Sequence, residues 1–129
     1  MLCDTLTFRP SKKNDRKTIR SVEKKAFGRS QEAKLVEALL NSPEKTYSFV
    51  AQCNDDVVGH IMLTEINAPV KALALAPLAV LPKYREMQIG SKLVRFALDE
   101  AKAKNYDAVF VLGDVLYYER FGFSGKLAD

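Results

Sequence analysis

The stretch LPKYREMQIGSKLVRFALDEAKAK, residues 81–104, combines residue types that can bind a negatively charged group. An apolar, strand-like run ends at Val80, and a polar loop with Arg85, Gln88 and Gly90 leads directly into a strongly helical segment. The first turn of a helix has N–H groups without partners inside the helix, and this end of the helix dipole is positive. Gly90 also lets a ligand approach the backbone closely. The pattern therefore predicts either an ordinary strand-to-helix turn or a site for a phosphate or pyrophosphate.

A proline lies inside the preceding apolar run KALALAPLAV, residues 71–80. Proline cannot donate a hydrogen bond to a sheet, so Pro77 indicates an edge strand, a bulge or a local break. An edge is disfavoured, because so apolar a strand is typical of a sheet covered on both faces. A bulge would separate this strand from a parallel neighbour and leave backbone groups that can bind an extended ligand. A proline that the strand merely tolerates is the other interpretation.

The segment YYERFGF, residues 117–123, places two tyrosines beside a charged pair. Such a group most often packs its rings and exposes its charged tip to solvent. A tyrosine hydroxyl that points into a cleft can instead act as a general acid.

The remaining chain supplies the elements that must position these residues. Period-2 and period-3.6 patterns predict the order β-α-α-β-β-β-α-β-α over one domain, residues 1–129. The turn Asn54-Asp55-Asp56 predicts a hairpin, and Gly28 ends the first helix. The predicted strands and helices cover residues 5–10, 14–27, 30–40, 46–53, 57–66, 71–80 and 107–113. A further helix has apolar spacing at Leu93, Val94, Ala97 and Ala101, and a short one precedes Gly122. A hairpin-rich first half joined to a strand–helix–strand unit predicts an α/β (α+β) fold. Its sheet is mixed, mostly antiparallel and twisted, with helices on both faces.

The amino-acid composition limits the kinds of partner that the protein is expected to bind. The chain has 129 residues, 47% hydrophobic and 28% charged, with a net charge of +4. No window is long and apolar enough to span a membrane, and the N-terminus lacks the apolar core of a signal peptide. Basic residues are interleaved over residues 12–25, which favours a solvated helix face over nucleic-acid binding. We therefore expect no membrane partner, and nucleic-acid binding is the disfavoured alternative for the basic segment.

Cysteine and histidine are scarce in this sequence. Cys3 and Cys53 make a poor disulfide framework, and neither has a second Cys or a His at the spacing of a zinc site. His60 is the only histidine. These counts predict no metal and favour a reducing, cytoplasmic location.

Together, PLAVLPKYREMQIGSKL, a buried strand and YYERFGF resemble the GNAT superfamily of N-acetyltransferases, most closely over residues 57–123. The resemblance implies the GNAT-type acyl-CoA N-acyltransferase fold and acetyl-CoA as the acetyl donor. It implies that Leu78, Ala79 and Val80 offer backbone groups to the pantetheine arm. Tyr118 matches the family tyrosine near the CoA sulfur and is the expected catalytic acid, with Tyr117 as its neighbouring alternative. The residues expected around the pyrophosphate are Arg85, Glu86, Met87, Gln88, Ile89, Gly90 and Ser91.

Three positions depart from the family pattern. Gln88 stands at the usual first glycine of the phosphate loop, so its Cβ is expected to crowd the pyrophosphate. Val111 stands where an asparagine is common, seven residues before Tyr118. The sequence ends at Asp129, before the family's usual last two strands. This predicts a shortened form, or a homodimer in which a second chain completes the sheet.

The expected reaction is direct attack of a primary amine, on a small molecule or a peptide, on acetyl-CoA in a ternary complex. Backbone N–H groups near Leu78–Val80 would polarise the thioester carbonyl. Glu65, His60 and Asp114 are available as bases, and no motif selects among them. The alternative function is a non-catalytic acyl-CoA-binding module or sensor.

Overall fold

A computed structural model of the chain describes residues 3–111. Within these residues, five strands form one sheet in the order β1-β2-β3-β4-β5. The strands are β1 (Leu6–Pro10), β2 (Thr46–Cys53), β3 (Asp56–Ile66), β4 (Ala72–Val80) and β5 (Ala108–Val111). Pairing is antiparallel from β1 to β4 and parallel between β4 and β5. The mixed, mostly antiparallel sheet predicted from the sequence is confirmed.

In the described part of the chain, three helices cover the two faces of this sheet: α1 (Arg16–Phe27), α2 (Gln31–Leu40) and α3 (Ile89–Ala103). Short 3-10 segments precede α1 at Lys13–Asp15 and α3 at Pro82–Met87. Gly28 ends α1 in a left-handed conformation, with φ of 68°, as its position predicted. Within the described residues no helix is both long and apolar enough to cross a membrane.

Each face of the sheet has its own apolar core, because the helical stripes are spaced to meet alternating strand residues. One core joins α1 and α2 to the sheet through Ile19, Val36, Val50 and Met62. The other is larger and lies under α3, whose buried side chains are Ile89, Leu93, Val94, Ala97 and Ala101. Helices on both faces of the sheet are therefore confirmed.

Strand β4 is central, as its apolar run predicted, since β3 and β5 pair with its two sides. Leu73 and Leu75 are completely buried. Pro77 lies at a bulge, because the β3 ladder pairs Ile61 with Leu78 but Leu63 with Leu75. Two residues of β4, Ala76 and Pro77, therefore stand against one residue of β3. A bulge at Pro77 is therefore present on the β3 side, and the predicted separation of β4 from its parallel neighbour stays a prediction.

The expectation for the two cysteines is wrong, because Cys3 and Cys53 form a disulfide. Antiparallel pairing sets Leu6 opposite Cys53, which brings the N-terminal segment back to the end of β2. The Cα atoms of the two cysteines are 5.4 Å apart although 50 positions separate them in sequence. This pairing removes the cysteine argument for a reducing compartment, and it occupies the thiol of Cys53.

Asp15 joins the end of β1 to the start of α1. The Arg9 guanidinium donates hydrogen bonds to both carboxylate oxygens, at 2.8 and 3.1 Å. The Lys12 N–H donates a third bond to Oδ2 at 2.7 Å. The bond from Arg9 is the largest cause that lowers the pKa of Asp15 below its usual value. The ionised carboxylate therefore stabilises the folded chain.

We expect Asp15→Asn to lower the free energy of unfolding near neutral pH by about 1–2 kcal/mol, because hydrogen bonds to a charged acceptor are lost. A lowered folded-state pKa means that the contribution is complete above the unfolded-state pKa and is lost as the pH falls through the folded-state pKa. Urea unfolding of both proteins between about pH 7 and 3 should show their stabilities converging in acid. A difference that stays constant with pH would contradict this assignment.

Candidate functional site

The segment between β4 and α3, residues Leu81–Gln88 (the β4–α3 loop), is anchored by hydrogen bonds in its first half. The Leu81 N–H donates to the Val58 carbonyl at 2.9 Å, which extends the β3–β4 pairing into the loop. The Tyr84 N–H donates to the Leu81 carbonyl at 2.9 Å, and the Tyr84 side chain is buried. The loop therefore presents its backbone in a fixed position beside the end of β4.

Gln88 is the residue that turns the loop into α3. It adopts a left-handed conformation, with φ of 58° and ψ of 29°, which side chains with a Cβ adopt uncommonly. Its carbonyl accepts the first helical hydrogen bond, from Lys92 N–H at 3.1 Å, while its side chain makes no capping bond. Because glycine adopts this left-handed geometry most easily, the position favours glycine. In this chain a glutamine adopts the same geometry.

We expect Gln88→Gly to raise the free energy of unfolding by about 0.5 kcal/mol. A left-handed residue with a Cβ costs about 1–2 kcal/mol, and the greater freedom of glycine in the unfolded chain offsets part of that gain. Urea unfolding measures the change, with Gln88→Ala as the matched control that shortens the side chain but keeps the Cβ. If the alanine variant is as stable as the glycine variant, the conformation of residue 88 is not the cause.

The N-terminus of α3 is anchored close to the sheet. Ile89 and Leu93 are completely buried. Gly59 of β3 lies beneath this first turn, and a Cβ there would stand 2.9 Å from Leu93 Cδ1 and 3.3 Å from the Ala79 carbonyl oxygen. The close approach therefore depends on Gly59. Among the described residues, the first turn of α3 contains no acidic side chain and Gln88 makes no side-chain cap, so no carboxylate of this turn opposes the positive end of the helix dipole.

The remaining predicted loop residues lie together, but their side chains point in different directions. The Arg85 guanidinium donates to the Ala26 carbonyl at 2.6 Å and so fastens the loop to the end of α1. Glu86 is exposed, whereas Met87 packs partly against the core under α3. The predicted pantetheine positions lie next to this loop in β4, where β3 pairs with Leu78, Ala79 and Val80. The described β4–β5 ladder covers Ala72 to Leu75.

Two predicted site residues, Tyr118 and its alternative Tyr117, lie outside residues 3–111, as does the candidate base Asp114.

Glu65, another candidate base, accepts a hydrogen bond from the Tyr106 hydroxyl at 3.1 Å, and that hydroxyl also contacts Tyr47 Oη at 2.9 Å. Burial, with the bonds to Tyr47 and Glu65, raises the pKa of Tyr106. Glu65 pairs with Leu73 near the start of β4, at the opposite end from the loop.

The sequence did not predict a buried, hydrogen-bonded group of three polar side chains, although it named His60 as a candidate base. His60 Nδ1 lies 2.8 Å from Glu23 Oε2, and His60 Nε2 lies 2.8 Å from Ser48 Oγ. His60 and Glu23 are both completely buried. The available signal was the position of Glu23, which follows Ile19 by four residues and so falls on the apolar stripe of α1.

Residues 16–123 match the sequence profile of the acetyltransferase (GNAT) family. The chain belongs to the GNAT family. This GNAT chain is 40% identical over 131 residues to YjhQ of Escherichia coli strain K12, described as an uncharacterized N-acetyltransferase. The alignment covers 95% of the chain and 72% of YjhQ. Family membership and this relative identify the chain as an acyltransferase.

Two solved structures of GNAT proteins are similar to this chain, each at 30% identity. A GNAT acetyltransferase from Brucella melitensis in complex with acetyl-CoA superposes with a TM-score of 0.86, covering 94% of this chain and 84% of that one. YhbS from Escherichia coli in complex with CoA superposes with a TM-score of 0.88, covering 96% of this chain and 70% of that one. The GNAT fold expected from the sequence is confirmed.

Proposed function

We propose that the chain transfers the acetyl group of acetyl-CoA to a primary amine, with the pyrophosphate held at the N-terminus of α3. The observation that carries this proposal is the first turn of α3, which has no acid and no side-chain cap and is fixed against the sheet by Ile89. Main-chain N–H groups of Ile89 and Gly90 suit an anionic group there. The complexes of similar GNAT proteins with acetyl-CoA and CoA support the choice of ligand.

The other predicted residues have distinct roles in this proposal. Leu78, Ala79 and Val80 bind the pantetheine arm through the backbone of β4, beyond the bulge at Pro77. Arg85 contributes through its main chain, because its guanidinium bonds to the Ala26 carbonyl. The loop residues proposed to surround the pyrophosphate are Arg85, Glu86, Met87, Gln88, Ile89, Gly90 and Ser91.

Acetyl-CoA supplies an activated acetyl thioester as cosubstrate. The amine, once it has lost a proton, attacks the carbonyl carbon directly, so that an N–C bond forms and the C–S bond breaks. Backbone N–H groups of β4 stabilise the negative charge that develops on the carbonyl oxygen. Tyr118 donates a proton to the leaving sulfur, and the proton that the nitrogen loses as the amide forms restores the tyrosine hydroxyl. The acceptor is a small-molecule or peptide amine.

Calorimetry with acetyl-CoA and CoA tests the binding half of this proposal. A thiol-release assay with spermidine, glucosamine, an aminoglycoside and an N-terminal peptide tests transfer. Binding together with amine-dependent thiol release is the expected result. Binding without release on any amine would favour the non-catalytic acyl-CoA module, and no binding would contradict the proposed site.

The role of Tyr118 has its own test. We expect Tyr118→Phe to lower kcat by about 100-fold or more, because a general acid is lost, while the dissociation constant for CoA stays nearly unchanged. Tyr117→Phe is the matched control on the neighbouring tyrosine. If kcat falls only in the Tyr117 variant, then Tyr117, and not Tyr118, is the general acid.

A further inference from the structure

A cleft of about 400 Å³ lies at the end of the sheet opposite the β4–α3 loop. The ends of β1, α2 and α3 and the beginnings of α1 and β2 contribute its lining. Its volume is within the range of about 300–1,000 Å³ that is typical of small-molecule sites. None of the residues that line it has a role in the proposed acetyl transfer, so its lining indicates what else the chain binds.

The charged lining of this cleft is mostly cationic. Its charged side chains are Lys12, Lys13, Arg16, Lys104 and Glu100. Lys104 Nζ lies 3.2 Å from Glu100 Oε1, so the negative charge of the lining is already paired. Within residues 3–111, the other three cations make no ion pair. The cleft therefore offers three positive charges to a ligand.

Acidic residues close to these cations in sequence do not cancel their charge. From position 10 to position 29, Asp15 and Glu23 are the only acids. Asp15 accepts hydrogen bonds from the Arg9 guanidinium on both carboxylate oxygens, so Arg9 matches its charge. Glu23 is completely buried, and its Oε2 lies 2.8 Å from His60 Nδ1. The charge pattern that is mixed in the sequence is therefore cationic at the cleft.

The uncharged lining suits a ligand that has both acceptor oxygens and an apolar part. Ser11 and Thr46 contribute hydroxyl groups, which can donate hydrogen bonds to such oxygens. Leu40, the ring of Tyr47 and the buried Phe49 contribute apolar surface. Guanidinium and ammonium groups bind phosphate through charge-assisted hydrogen bonds. A phosphate monoester fits three cations better than a carboxylate, because it carries a charge of about −1.5 to −2 near neutral pH.

The cleft is far from the proposed acetyl-CoA site. The Val58 carbonyl of β3 accepts the hydrogen bond from Leu81 at the start of the β4–α3 loop, whereas Thr64 of β3 pairs with Thr46 at the cleft. The six positions of strand from Val58 to Thr64 correspond to about 20 Å. Helix α3 spans a similar length, about 22 Å, from the loop at its N-terminus to Lys104 at the cleft. A ligand in the cleft would therefore not overlap with acetyl-CoA bound at the N-terminus of α3.

We propose that this cleft is a second ligand site, which binds a phosphate monoester of a small molecule that has a ring or another compact apolar part. Lys12, Lys13 and Arg16 bind the phosphate, and the apolar part lies against the ring of Tyr47. The Arg16 guanidinium donates a hydrogen bond from Nη1 to Asn41 Oδ1 at 3.3 Å, which helps to hold it at the cleft. This site goes beyond the proposed acetyl transfer and does not depend on it.

Phenyl phosphate is a probe of this class, and its binding to the wild type can be followed by nitrogen-15 NMR of the backbone amides. Saturable shifts are expected at residues 11–13 and 46–48, with a dissociation constant below about 1 mM. Phenol, which lacks the phosphate, should leave these amides unchanged at the same concentrations. The proposal would be overturned by an absence of saturable shifts, by shifts that spare both segments, or by equal shifts with phenol. Because the titration contains no acetyl-CoA, its result is independent of whether the chain transfers acetyl groups.

Two double variants separate the cleft from the general positive charge of α1. Lys13→Gln/Arg16→Gln removes two cations of the lining and should weaken phenyl phosphate binding about tenfold or more. Lys24→Gln/Lys25→Gln removes the same charge farther along α1, and all four side chains are exposed, so both variants should fold. Lys24 lies about 12 Å along the helix from Arg16, beyond the screening length of about 8 Å in physiological salt, so the second variant should bind within about twofold of the wild type. No weakening in the first variant, or equal weakening in both, would overturn the site.

Discussion

Replacing His60 with leucine is expected to lower the free energy of unfolding by about 3–5 kcal/mol, the usual cost of breaking a buried pair by removing one partner. Glu23 would keep its completely buried carboxylate but lose its hydrogen bond at Oε2, and Oε1 accepts none within the described residues. Ser48 would lose its partner as well. Urea unfolding with a two-state fit measures the change.

The double variant Glu23→Leu/His60→Leu is the matched control. Replacing a buried pair with apolar side chains of similar volume is often neutral, and the apolar core beside this pair contains Ile19, Val50 and Met62. The double variant should therefore recover most of the stability that the single variant loses. A single His60→Leu variant with stability within about 0.5 kcal/mol of the wild type would show that the pair does not bind α1 to the sheet.

The elements of this fold could be predicted because each has a local signal. Continuous apolar residues identified β4 as central, Gly28 marked the end of α1, and Asn54 lies in the hairpin turn with φ of 55°. Pro77 marked a possible irregularity in β4, with a bulge among the interpretations, because proline has no N–H to donate to the sheet. These features depend on neighbours within a few positions, so the sequence alone reveals them.

The contacts that surround the site could not be predicted in the same way. His60 is 37 positions from Glu23, and Arg85 is 59 positions from Ala26. The disulfide joins cysteines 50 positions apart. Periodicity tells which face of an element is buried, but the strand register and the placement of helices on the sheet decide which side chains meet. Glu23 lies in the helix whose interleaved basic residues predicted a solvated face, whereas packing makes it the buried partner of His60.

The strongest expected effect on ligand binding comes from Gly90→Asp, which should weaken CoA binding by about 100-fold or more, or about 2.7 kcal/mol. Two unit charges about 4 Å apart repel by about 4 kcal/mol at the effective dielectric near a protein surface, so a carboxylate in the first turn of α3 opposes the pyrophosphate strongly. The same carboxylate should stabilise the uncapped helix by about 0.3–1 kcal/mol, because it complements the dipole. The CoA affinity measured by calorimetry should therefore fall, while the free energy of unfolding measured in urea should rise.

Gly90→Asn separates charge from size, since asparagine fills nearly the same volume as aspartate without the negative charge. Gly90 lies inside α3 and does not have a positive φ, so neither variant requires a left-handed backbone there. We expect the asparagine variant to bind CoA much more tightly than the aspartate variant, and the gap between them to narrow as salt screens the repulsion. Equal CoA affinity of the two variants at low salt would contradict a pyrophosphate at the N-terminus of α3. Loss of both affinity and stability in the aspartate variant would instead indicate that the added side chain disturbs the packing of α3 on the sheet.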